Sequence, residues 1–174
     1  MMSARTLIFT GEGKGKTTAA FGMVLRATGH KQRVLVVQFL KSNAATGELL
    51  ACAHLPQIEV VQMGRGFVPP VAHPAFITHR ETAQEALAYA NAAVVSGKYD
   101  LIVLDEICGA IARELINEEA VIEMLTTPER TACIVLTGRD ASARLMERAD
   151  TVTEMRCVQH GYTQGITAQE GVEF

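Results

Sequence analysis

Residues 6–18 read T-L-I-F-T-G-E-G-K-G-K-T-T, and this stretch decides the fold. Thr6–Thr10 is a short β-rich apolar run. Gly11, Gly13 and Gly15 follow in alternate positions, and a helical pattern opens at Lys16 and stops near Gly29. Strand, glycine-rich loop and helix in that order form a phosphate loop: the glycines let the backbone curl so that N–H groups face phosphate oxygens, and the helix N-terminus adds partial positive charge. The expected ligand is a triphosphate, Mg-ATP, gripped between Gly11 and Thr18. In that geometry Lys16 reaches the β/γ region and the Thr17 hydroxyl ligates Mg²⁺. Gly15-Lys16-Thr17 fit the general G-x-x-x-x-G-K-[ST] pattern, but its first glycine position is Thr10 here.

Outward from the loop, strand-like runs recur at Val34–Leu40, Glu59–Met63, Leu101–Asp105, Ala132–Thr137 and Thr151–Met155. VLVVQFL, LIVLD and ACIVLT are nearly continuous apolar runs, which suits strands covered on both faces. Helical patterns alternate with them. One opens with Thr78 and Glu81 spaced as a capping box and lines up Ala83, Ala86, Leu87, Ala90 and Val94 before Gly97. Another starts near Asn117 and ends before Pro128, with Glu118 and Glu119 in its first turn. A further one follows Asp140 as N-cap. The alternation predicts a single α/β domain over residues 1–174, with a six-stranded, mostly parallel sheet and helices on both faces. Gly64 to Ile77, with three prolines, reads as one long irregular segment.

L-I-V-L-D-E ends an apolar strand in two carboxylates, the form of a Walker B segment, so that Asp105 or Glu106 holds Mg²⁺ directly or through water. Gln38, Lys41, Thr137, Gly138 and Arg139 also fall at strand carboxyl ends, where ligands of open parallel sheets lie. Apolar residues make up 48% and charged residues 20%, the balance of a soluble globule. A net charge of -3 without a Lys/Arg run argues against a nucleic-acid partner. No stretch approaches the roughly 18 apolar residues that span a bilayer, and no signal peptide is legible, so the expected location is cytoplasmic. The four cysteines are scattered and read as core residues of a reducing compartment.

TGEGKGKTTAAFG, VVQFLK, MGRGF, LIVLDE, LTGR, ADTVTEM and AQEGVEF occur in one order between Thr10 and Phe174. Together they closely resemble the phosphate-loop type of ATP:corrinoid adenosyltransferase. The resemblance implies a phosphate-loop NTPase-like (RecA-like) sheet, a homodimer, and Mg-ATP and a reduced corrinoid such as cobalamin as co-substrates, with a flavoprotein as reductase. It further implies that Co(I) attacks the 5′-carbon of ATP and the whole triphosphate leaves. The loop would then hold a leaving group, and no acid or base would be needed at the nucleophile. On this resemblance Gly11, Glu12, Gly13, Lys14, Gly15, Lys16, Thr17 and Thr18 hold ATP. Arg139, and Arg26 on the first helix, correspond to ATP-contacting arginines. Thr17 and Glu106 correspond to Mg²⁺ ligands, with Asp105 acting through water, and Phe67 to an aromatic that excludes the lower axial ligand of the corrinoid. Some family members carry Trp where Pro69 stands, or an N-terminal extension. Two other functions fit the loop itself: a phosphate-loop ATPase or kinase in which Glu106 orients water, and a non-catalytic ATP- and corrinoid-binding protein.

Overall fold

The computed structural model describes residues 4–43 and 45–173; Phe174 of the last motif, and residues 1–3, lie outside them. Six strands, β1 Thr6–Thr10, β2 Val34–Gln38, β3 Ile58–Gln62, β4 Leu101–Asp105, β5 Cys133–Thr137 and β6 Thr151–Glu154, form one sheet in the order β3-β2-β4-β5-β1-β6. Every neighbouring pair is parallel. Among the described residues six α-helices connect them: α1 Lys16–Gly29, α2 Gly47–Cys52, α3 Ala75–Ser96, α4 Ile107–Ala112, α5 Glu118–Thr126 and α6 Ala143–Met146.

The side-chain period of two divides the central strands between two cores. Leu35, Val37, Ile102, Leu104, Ile134 and Leu136 point to the face covered by α3 to α6. Val34, Val36, Leu101, Val103 and Val135 point to the face covered by Ala20, Val24 and Ala27 of α1. Because both faces are covered, β2 and β4 are buried at every position, as their unbroken apolar runs predict. The Ala83, Ala86, Ala90 and Val94 stripe of α3 is buried, and its small side chains let the 22-residue helix lie close on the sheet. β6, at the edge, is exposed throughout.

Several local readings are corrected. α3 starts at Ala75, not at a Thr78 capping box; Pro74 precedes it and His73 Nδ1 accepts from Ala75 N–H at 3.2 Å. Proline is preset for a first helical turn, so the last of the three prolines ends the irregular segment early. The N-cap of α6 is Ser142, whose Oγ accepts from Leu145 N–H at 3.0 Å; Asp140 is left-handed, with φ 58°. α2 and α4 have no counterpart among the expected helices. The run LIVLDEICGAIA changes from strand to helix at Glu106, which takes φ 65° and turns the chain.

Candidate functional site

The phosphate loop joins β1 to α1 at the carboxyl edge of the sheet. Gly15 takes φ 114° directly before Lys16, a conformation that glycine adopts without a Cβ clash. Gly13 is required for a different reason: a Cβ there would stand 2.8 Å from the Arg156 carbonyl group. Its N–H donates to Met155 O at 2.6 Å, so the chain leaving β6 props the loop. Lys16 is buried and its Nζ donates to Gly11 O at 2.6 Å and Gly13 O at 2.8 Å, bracing the curl from inside. Burial lowers its pKa, while the charge of Glu106 acts in the opposite sense.

The centre of the site is Asp105, the last residue of β4, whose carboxylate is fully buried. Thr17 Oγ1 and Thr137 Oγ1 each donate to Oδ1 at 2.8 Å. Gln38 Nε2 donates to Oδ2 at 2.9 Å and Lys41 Nζ stands 3.0 Å from the same oxygen. These residues come from α1, β5, β2 and the loop after β2, so adjacent strand ends converge on one carboxylate. A buried carboxylate needs such a full set of donors. Gln38 is itself held by Gln62, whose Nε2 donates to Gln38 Oε1 at 2.9 Å. Thr137 also receives Glu106 N–H at 2.9 Å, which fixes the turn after Asp105. Glu106 does not share the Thr17 contact. Burial, and then the charge of Asp105, raise its carboxyl pKa, while Lys41, Lys16 and Arg113 oppose the rise.

Arg139 reaches the loop and pairs with Glu12 at 3.2 Å, with both side chains more than half exposed. Its motif is placed by Gly138, where a Cβ would stand 2.7 Å from Gly109 N. Lys14 Nζ turns to the C-terminal segment and donates to Val172 O at 3.1 Å. Thr18 is exposed on the first turn of α1. Arg26 is not brought to the loop. It lies in the last turn of α1, about 15 Å of helix beyond Lys16 at 1.5 Å per residue. There it borders Asp100 and Cys133 at the opposite, amino edge of the sheet.

Phe67 is 92% exposed, so packing does not account for it. The loop carrying it is fastened to the end of β2 and the segment after it: Met63 N–H donates to Gln38 O at 3.1 Å and Gly66 N–H to Leu40 O at 2.8 Å. Phe67 thus rises from the same sheet edge as the phosphate loop. Gly64 and the Met155–Arg156 buttress escaped the sequence reading, because close backbone approach leaves no trace beyond a glycine. Among the described residues, no group of three or more His, Cys, Asp or Glu side chains could hold a metal, and no helix is long and apolar enough to cross a membrane. All four cysteines are free thiols, but the expectation of core residues holds only for Cys52 and Cys108: Cys133 is half-buried and Cys157 is exposed.

Similarity to solved structures concerns the fold. The flagellar accessory protein FlaH of Methanocaldococcus jannaschii superposes with a TM-score of 0.58 at 11% identity, over 86% of this chain and 70% of that one. The ATPase 2 and 3 region of EssC from Geobacillus thermodenitrificans gives 0.52 at 12% identity, and this chain spans 35% of it. Sequence relatives are closer. The corrinoid adenosyltransferase of Pseudomonas aeruginosa is 39% identical over 171 residues, 97% of this chain and 82% of that protein. That of Escherichia coli K12 is 34% identical over 169 residues, 97% and 84% respectively. The family model for ATP:corrinoid adenosyltransferase BtuR/CobO/CobP matches residues 3–174. A match across essentially the whole sequence, on a sheet whose strand ends gather Lys16, Thr17 and Asp105 around a phosphate loop, leads to one assignment: the chain belongs to the ATP:corrinoid adenosyltransferase family and is a transferase.

Proposed function

We propose that this chain transfers the 5′-deoxyadenosyl group of ATP to the cobalt of a reduced corrinoid, with the phosphate loop holding the triphosphate as leaving group. The observation that carries the reading is the contact between Thr17 and buried Asp105 beside Lys16, in a chain matched to the family over residues 3–174. In the reaction the cobalt(I) electron pair forms the Co–C5′ bond while the C5′–O bond breaks and its pair leaves on the triphosphate. The protein therefore has to position C5′ and to stabilise charge on the departing oxygens. Backbone N–H groups of the loop from Gly11 to Thr18, other than that of Gly13, which is held by Met155 O, bind those oxygens together with the N-terminus of α1. Lys16 holds the curl of the loop and adds positive charge. Arg139 covers the outer side after exchanging Glu12 for phosphate.

The oxygen donors of Thr17 and Asp105 suit a hard divalent cation, and an ammonium already stands against both in this structure. Mg²⁺ would be held by this pair, with Glu106 beside it, and would neutralise triphosphate charge when bound. Phe67 faces the corrinoid, where it displaces the lower axial ligand and so eases reduction of cobalt. A homodimer, a flavoprotein reductase and a cytoplasmic location belong to the same reading, and light scattering tests the dimer directly.

Mixing the protein with Mg-ATP and chemically reduced cobalamin should give adenosylated corrinoid and inorganic tripolyphosphate in equal amounts. ADP and phosphate as the only nucleotide products would overturn the reading.

A further inference from the structure

Lys41 stands against the two oxygens assigned above to the divalent cation. Its Nζ is 3.0 Å from Asp105 Oδ2 and 3.0 Å from Thr17 Oγ1. Asp105 is fully buried, whereas the Lys41 side chain is 35% exposed, so the ammonium enters from the solvent side. The backbone beneath it is fixed. Phe39 N–H donates to Asp105 O at 3.0 Å, and Leu40 O accepts from Gly66 N–H. Gly64 lies so close that a Cβ would meet Leu40 C at 2.1 Å and Lys41 N at 2.3 Å. The root of the side chain is held, and its reach comes from a flexible four-carbon stem.

Magnesium contacts oxygen ligands at about 2.0–2.1 Å. Such an ion and the ammonium cannot both take the gap between Thr17 Oγ1 and Asp105 Oδ2, and their like charges repel. We infer that Lys41 is an exchangeable cation. It neutralises Asp105 in the resting site, and Mg-ATP drives it onto the triphosphate, where it stabilises charge on the leaving group. The inference rests on reading Thr17 and Asp105 as the cation site. The swing is short, because Thr17 belongs to the first turn of the helix whose N-terminus faces the phosphates. Lys41 contributes charge and hydrogen bonds to the oxygen that receives the C5′–O pair. Lys16 rests on the Gly11 and Gly13 carbonyls inside the loop and makes no contact with Asp105, so it is not the cation that occupies this gap. Lys41 is thus a positioning residue that becomes a ligand of the leaving group.

Lys41→Met keeps the stem and removes the charge, and Lys41→Gln repeats the test with a different neutral side chain. Mn²⁺ titrated into nucleotide-free protein, followed by the paramagnetic resonance signal of the free ion, should bind both variants about tenfold more tightly than the native protein, because a charge-assisted contact no longer competes. Inorganic tripolyphosphate with Mg²⁺, measured by calorimetry, should bind the same variants about tenfold more weakly, for loss of a contact of the same kind. These opposite shifts are what a purely structural lysine would not produce. Unchanged affinities, or a loss of both, would overturn the inference. Asp105→Asn is the control and should weaken Mn²⁺ binding in every background. If it does not, the cation site itself is misassigned, and this inference falls with it. No corrinoid enters these titrations, so their failure is distinct from failure of adenosyl transfer.

Discussion

At the scale of single residues, the site is a convergence on Asp105. Four side chains, from the ends of β2 and β5, the loop after β2 and helix α1, serve this carboxylate, and two of them, Gln38 and Thr137, are themselves buried. Thr137→Val keeps the shape but removes one donor to Asp105 and the acceptor of Glu106 N–H. It should cost about 1–3 kcal/mol, the penalty of leaving buried polar groups unpaired, as measured by urea denaturation. Equal midpoints for variant and native protein would show that the pair finds other partners. Phe67 behaves in the opposite way. Since it is almost wholly exposed, Phe67→Ala should leave stability within about 0.5 kcal/mol. Its effect should appear in chemistry: reaction from cob(II)alamin with a protein reductant should suffer more than reaction from pre-formed cob(I)alamin. Equal losses in the two assays would remove Phe67 from the corrinoid side. Arg26 and Arg139 show how far one-dimensional reading reaches at this scale. Both are arginines on motif-like segments, yet one lies at the loop and the other at the far edge of the sheet, because ten residues of helix separate Arg26 from Lys16.

At the scale of elements, the site depends on loops that lean on one another. The chain after β6 props the phosphate loop through Gly13, and the loop after β3 grips the loop after β2 through Gly64 and Gly66. Gly64→Ala pushes a methyl group into the Leu40–Lys41 peptide. Backbone cannot yield as a side-chain tip can, so a loss of about 1–3 kcal/mol is expected, of the size of overpacking in a core. The measurement is the denaturation midpoint, and a variant as stable as the native protein would mean that the two loops separate easily. The elements legible from sequence were those with long periodic patterns or unbroken apolar runs: β2, β4, α1 and the body of α3. α2 and α4 were not legible, because six residues carry too little of a 3.6-residue period. α4 was further hidden in an apolar run whose turning point is a glutamate with positive φ.

At the scale of the whole molecule, the far side of the sheet is tied by a cluster that no motif announces. Glu59 on edge strand β3 accepts from Tyr89 of α3 at 2.6 Å, from Tyr99 at 2.6 Å and from Lys98 at 3.0 Å. These hydrogen bonds, with Tyr89 first, hold the Glu59 carboxyl at about 2, below its ordinary 4.5, against the opposing effect of burial. Because the folded value is the lower one, this stabilisation is fully present above about pH 4.5 and is lost as pH falls towards 2. Glu59→Gln should therefore lower the thermal midpoint near neutral pH and flatten its fall below pH 4.5. An unchanged acid limb would show that solvent screens the cluster. By itself, the sequence determined the strand–loop–helix that binds phosphate, the alternation that demands a parallel sheet with two covered faces, and the ordered set of motifs that carries the family. Those properties are local or periodic, so they are written in neighbouring residues. Only the tertiary structure decided that Asp105 rather than Glu106 meets Thr17, that Lys41 contacts both members of that pair, that Arg26 is remote, and that Gly13 and Gly64 are seats for other backbone. Each of these depends on which strand ends lie side by side in the order β3-β2-β4-β5-β1-β6, and that neighbourhood is set by packing between segments far apart in the chain.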